Sequence, residues 1–151
     1  MIMRALGHGQ RAAVIQFIKG AESCGERDFL QKIVPDMPYY TMATGFTWET
    51  QNKQTDRVAA QNVWQHAKKL LADECIDVIL LDELTYMLGY GYLETDDVVN
   101  ALHSRPASQS VIVTGRGAGS ALLAIADTVS DIHCEKHAFA SGIKARKGIE
   151  Y

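Results

Sequence analysis

The chain has 151 residues, 47% of them hydrophobic and 22% charged, and carries a formal net charge of −3. That describes one ordinary domain, 1–151, long enough to bury a real core. The acidic balance argues against nucleic acid as a main partner, since neutralising phosphates takes a surplus of Lys and Arg. No apolar run approaches the about 20 residues of a spanning helix, so no membrane partner is expected.

The opening "MIMRALGHGQR" is too short and too polar for a signal peptide. Cys24, Cys75 and Cys134 are far apart and odd in number, without a CxxC. They read as reduced thiols of a cytoplasmic protein. No repeat or low-complexity linker interrupts the chain.

Residues 12–17, "AAVIQF", predict a buried strand. Residues 26–34 predict a short helix stopped by Pro35, and 38–42, "PYYTM", a second strand. "GFTWETQ", 45–51, reads as a polar loop holding Phe46 and Trp48. Residues 54–73 predict a long helix, with Ala59, Val63, Ala67, Leu70 and Leu71 at helical spacing. "IDVILL", 76–81, is a continuous apolar strand of the fully buried kind. Thr95 is the expected N-cap of a helix through His103, with Asp96 and Asp97 in its first turn and Pro106 beyond its end. "SVIVT", 110–114, predicts another buried strand. A Gly-rich turn leads to a helix near 119–126, and 128–135 predict a last strand. Strands alternating with helices imply an α/β fold, a mostly parallel sheet with helices on both faces. Ligands in such a sheet bind at the carboxyl ends of the strands.

Three motifs stand at strand ends. In "VILLDEL", Asp82 and Glu83 follow a buried strand. They read as a Walker B-like element holding Mg²⁺ directly or through water, or as helix caps. In "VIVTGRGAG", Gly115 and Gly117 let backbone N–H groups approach an anion, and Arg116 can reach a phosphate bidentately; the alternative is a plain strand-to-helix turn. The aromatics of "GFTWETQ" are a core plug, a partner contact or a platform for a flat ligand. No G-x-x-x-x-G-K-[ST] phosphate loop occurs. His66, His103, His133 and His137 show no ligand spacing. His8 reads as structural. Lys144, Arg146 and Lys147 form a basic tail, either solvated or facing substrate.

Taken in order, "MRALGHGQRAAVIQFIKG", "ATGFTWETQ", "LLDELTYMLGYGYL", "RPASQSVIVTGRGAG" and "KHAFASGIKARKGIEY" resemble the P-loop-type ATP:corrinoid adenosyltransferases over essentially the whole chain. The resemblance implies a P-loop NTPase-like (RecA-like) architecture. It also implies transfer of the 5′-deoxyadenosyl group of ATP to Co(I) of a corrinoid, with release of triphosphate. By the same resemblance Phe46 and Trp48 lie at the lower face of the corrinoid and exclude its lower axial ligand. Glu83, with Asp82 beside it, helps hold Mg²⁺ (or Mn²⁺) on the triphosphate. Arg116, between Gly115 and Gly117, lies near the nucleotide phosphates, and Tyr86 and 89–93 near the same pocket. No residue is implied as an acid or base. A homodimer and an external reductase, such as a reduced flavoprotein, are the implied partners.

Family members carry a first strand and G-N-G-K-G-K-T-T ahead of the helix that "MIMRALGHG" resembles, with Gly7 or Gly9 ending that helix. The expectation is therefore a chain shortened at its N-terminus, lacking the first strand and the P-loop. That strand belongs between 76–81 and 110–114, so its loss should leave unpaired edges inside the sheet. Low stability, self-association or a rearranged sheet would follow. Three readings result: an enzyme of the family, a corrinoid-binding relative without ATP chemistry, or a subunit completing another chain's site.

Overall fold

The computed structural model describes residues 1–18, 25–42 and 53–149. Its elements, in chain order, are α1 (Ile2–Gly7), β1 (Ala12–Gln16), α2 (Gly25–Ile33), β2 (Tyr39–Thr41), α3 (Lys53–Leu71), β3 (Val78–Asp82), α4 (Leu84–Gly89), α5 (Thr95–His103), β4 (Ser110–Val113) and α6 (Ser120–Ala124), then a 3₁₀ turn at Ala138–Ser141. The four strands form one parallel sheet in the order β2-β1-β3-β4. Among the described residues no helix is long and apolar enough to cross a membrane.

Side chains on a strand alternate between faces, and the two halves of the core follow that alternation. Ala13, Ile15, Ile79, Leu81, Val111 and Val113 face one cluster, filled by α3, α4, α5 and α6. Ala12, Val14, Val78, Leu80 and Ile112 face a smaller one, filled by Ile2 and Ala5 of α1 and Leu30 of α2, with Met37. Both faces of β1 are covered, so every one of its residues is buried. This is why its sequence shows no alternation.

Local chemistry sets the ends. Helix α1 closes with Gly9 at φ 74°, its N–H donating to Leu6 O and that of Gln10 to Ala5 O. This is a Schellman turn with glycine at its left-handed position. The residue before α5 is Glu94, and Thr95 is its first helical residue. The cap is thus displaced by one from Thr95, while Asp96 and Asp97 occupy the first turn as expected. Helix α4 was not legible as an element, although Leu84, Met87 and Leu88 have helical spacing.

Two expectations are corrected. Residues 128–135 form no strand and are exposed throughout. Their apolar side chains, Val129, Ile132 and Cys134, do not alternate, so no face exists to bury, and Ile132 is 92% exposed. Nor does the sheet carry unpaired edges in its interior. β3 pairs directly with β4, from Val78 opposite Ser110 to Leu81 opposite Val113.

Two polar contacts tie the helices down, one toward the sheet and one between α3 and α5. Gln109 is buried just before β4, and its Nε2 donates to the carbonyls of Leu70, Asp73 and Ile76. It thereby ties the end of α3 to the approach of β3. Trp64 of α3 donates its indole N–H to Asp97 Oδ2 of α5 at 2.7 Å, and Lys68 Nζ lies 3.2 Å from the same oxygen. The Trp64 hydrogen bond, aided by Lys68, holds the Asp97 carboxyl below the usual carboxylate range against the opposing effect of its partial burial.

Replacing Gln109 with Leu should lower the unfolding free energy by about 1–3 kcal/mol, because buried carbonyls lose their donor; denaturant titration measures it. For Asp97 the depressed folded value means its contribution is present above the unfolded value near 3.9 and is lost as pH falls through the folded one. Asp97→Asn should therefore melt below the parent chain at pH 7, and the gap should close as pH drops below about 4. Thermal unfolding followed from pH 7 to 3 checks this.

Candidate functional site

All four strands run in the same direction, so their carboxyl ends share one edge of the sheet. Along β1, β3 and β4 the side chains Val14, Leu80 and Ile112 form an apolar row, in register across the sheet. Two residues further on, the same face presents Gln16, Asp82 and Thr114. The change from apolar to polar at that step is what makes this edge a site.

These three side chains are joined. Gln16 and Asp82 are opposite one another in the β1–β3 ladder, and Gln16 Nε2 donates to Asp82 Oδ2 at 3.2 Å. Thr114 Oγ1 donates to Asp82 Oδ1 at 2.7 Å and accepts from the backbone N–H of Glu83 at 2.9 Å. The Asp82 carboxylate is thus held at both oxygens, with lone pairs left on each. Glu83 is the only non-glycine described residue with positive φ, at 62°, and it serves as the N-cap position of α4. A bulky residue in this region is strained, and here the Thr114 hydrogen bond and the onset of α4 hold it. The sharp turn carries the chain from β3 into α4 within one residue.

The Gly-rich turn after β4 is fastened to the same place. Thr85 Oγ1 donates to the carbonyl of Arg116 at 2.9 Å. Gly115 has φ 137°, and a Cβ built there would stand 2.0 Å from Thr85 Oγ1. Gly117 has φ 67°. The Arg116 side chain is exposed at this edge. Behind the turn lies a pocket lined by Leu88, Gly89, Thr95, Gly117, Gly119 and Leu122. Its volume of about 150 Å³ is well short of the several hundred a nucleotide-sized ligand occupies.

The structure therefore brings Asp82, Glu83, Gly115, Arg116 and Gly117 to one edge, as their positions after strands imply. Phe46 and Trp48 lie outside the described residues. Tyr86, Tyr90 and Tyr92 form a tilted chain of rings, 5.9 and 5.5 Å between centroids. Burial, followed by the proximity of Asp56 and Tyr90, pushes the Tyr92 phenol up. Sequence reasoning missed Gln16, Thr114 and Thr85. A signal existed for Gln16, since an amide inside an otherwise apolar buried strand needs a polar partner. Thr114 and Thr85 carried none, because a hydroxyl beside a turn is common.

Gly115→Ala is the sharpest local test of this geometry. Any side chain meets both the positive φ and the Thr85 hydroxyl, so the variant should lose about 1–3 kcal/mol of stability or displace the turn. Urea unfolding, with Gly119→Ala as the control at an open position without positive φ, measures it.

Residues 1–151 match, in full, the family described as ATP:corrinoid adenosyltransferase BtuR/CobO/CobP. The corrinoid adenosyltransferase of Escherichia coli (strain K12) is 52% identical over 98% of this chain and 74% of its own length. The corrinoid adenosyltransferase CobA of Salmonella typhimurium (strain LT2) is 51% identical over the same shares. That of Pseudomonas aeruginosa (strain PAO1) is 48% identical over all of this chain and 74% of its own length. Identity at this level over nearly the whole chain, on a parallel sheet whose carboxyl edge gathers Asp82, Glu83 and Arg116, shows that the chain belongs to the ATP:corrinoid adenosyltransferase family.

Proposed function

We infer that this chain moves the 5′-deoxyadenosyl group of ATP onto the reduced cobalt of a corrinoid, in the biosynthesis or salvage of adenosylcobalamin. The observation that carries this is the family match over all of residues 1–151. In the reaction the Co(I) electron pair attacks the ribose C5′, the C5′–O bond breaks, and its electrons leave with triphosphate. Cobalt passes formally from Co(I) to Co(III). No proton moves in that step, so no side chain is assigned as acid or base. The protein's part is position and electrostatics.

Charge on the leaving triphosphate is the electrostatic problem. A divalent cation, Mg²⁺ or Mn²⁺, supplies neutralisation there when bound. Mg²⁺ is usually held by one or two carboxylates together with phosphate oxygens and water, not by an all-protein cage. Asp82 and Glu83 fit that pattern: two carboxylates stand at a strand mouth, one of them fixed at both oxygens. Arg116, on a turn whose carbonyl is tied to Thr85, is assigned to the phosphates, with the backbone of Gly115 and Gly117 beside it. Phe46 and Trp48 are assigned to the lower face of the corrinoid. There an apolar surface would exclude an axial ligand and so ease reduction to Co(I). A homodimer in the cytoplasm, served by an external reductase such as a reduced flavoprotein, completes the reading.

An adenosyl-transfer assay tests this reading. Cobalamin reduced chemically to Co(I) is mixed with MgATP and protein, and the visible spectrum is followed for light-sensitive adenosylcobalamin. Turnover that falls at least about a hundredfold in Glu83→Ala and Arg116→Ala is the expected result. A folded chain that binds corrinoid without turnover overturns it.

A further inference from the structure

Among the described residues, two buried side-chain oxygens have no hydrogen-bond partner, Gln16 Oε1 and Gln109 Oε1. Gln109 is accounted for by its amide nitrogen, which serves three backbone carbonyls. Gln16 has no such duty. It is 4% exposed, follows four buried apolar residues in β1, and its amide nitrogen is given to Asp82. Its orientation is dictated by chemistry, since an ionised carboxylate only accepts, so the NH₂ end must face Asp82. The oxygen is then left as a buried acceptor beside that carboxylate. An unmet buried acceptor is costly, and an apolar residue in the same row would have avoided it.

We propose that Gln16 is a further residue of the cation site: its nitrogen fixes Asp82, and its oxygen accepts a hydrogen bond from a water on a divalent cation held at Asp82. This rests on the assignment of Asp82 and Glu83 to that cation. A hydrated Mg²⁺ or Mn²⁺ keeps several waters, each with protons to donate. An amide turned this way binds at both ends, through NH₂ to the carboxylate and through the oxygen to the ion's hydration shell. Partners of this kind typically matter by about 10–100-fold in metal affinity. The row Gln16–Asp82–Thr114 then has a division of labour. Thr114, which donates to Asp82 and accepts from Glu83 N–H, sets the carboxylate from one side. Gln16 sets it from the other and adds an oxygen.

Mn²⁺ is the probe, titrated into the 151-residue chain and read by the EPR signal of the free ion, with thermal unfolding run on each variant. Asp82→Asn should weaken Mn²⁺ binding by about tenfold or more, and so should Gln16→Met. Gln16→Leu replaces Gln16→Met if the latter does not fold. If the apolar variant is folded and binds Mn²⁺ as the parent does while Asp82→Asn is weakened, the proposal is overturned and the cation assignment stands. If Asp82→Asn itself binds normally, the cation assignment fails and the proposal with it.

Discussion

The ladder between β1 and β3 is the constraint on which the rest of the molecule depends. It runs from Ala12 opposite Val78 to Gln16 opposite Asp82. Because the strands are parallel and buried on both faces, a slip of one residue would send every side chain to the wrong cluster. Ala13, Ile15, Ile79 and Leu81 would leave the large half of the core, and Val14 and Leu80 the small one. The register is therefore specified by apolar packing. The same register sets Gln16 against Asp82, so the hydrophobic core determines which polar groups meet at the carboxyl edge.

The edge is built from short-range devices laid on that frame. Glu83 takes a left-handed conformation so that β3 passes into α4 at once. Thr114 binds both the carboxylate before that turn and the N–H within it. Thr85, in the first turn of α4, holds the carbonyl of Arg116, and only glycine at 115 leaves room for its hydroxyl. Together these contacts join the end of β3, the start of α4 and the turn after β4. A transferase that acts by orienting two large substrates gains from such a fixed edge more than from any acid or base.

β3 pairs directly with β4, from Val78 opposite Ser110 to Leu81 opposite Val113. Backbone N–H and C=O groups in a sheet interior must be paired. Direct pairing of β3 with β4 meets that requirement. β4 is nonetheless less buried than β1, and residues 126–149 beyond it are exposed.

The sequence by itself determined the strands and helices whose patterns are strong: the apolar runs of β1 and β3, the long amphipathic α3, and acidic residues opening α5. It also placed Asp82, Glu83 and Arg116 after strands, which in a parallel sheet is enough to put them on one edge. Periodicity failed where elements are short or unpartnered. Helix α4 is only six residues long, and the apolar residues of 128–135 offer no face for pairing. What only the tertiary structure decided are contacts between residues distant in the chain. Gln16 meets Asp82 across 66 positions, Thr114 meets Asp82 across 32, and Thr85 meets Arg116 across 31. Local propensity carries no trace of such pairs, because they exist only once the strands have been aligned by the burial of their neighbours.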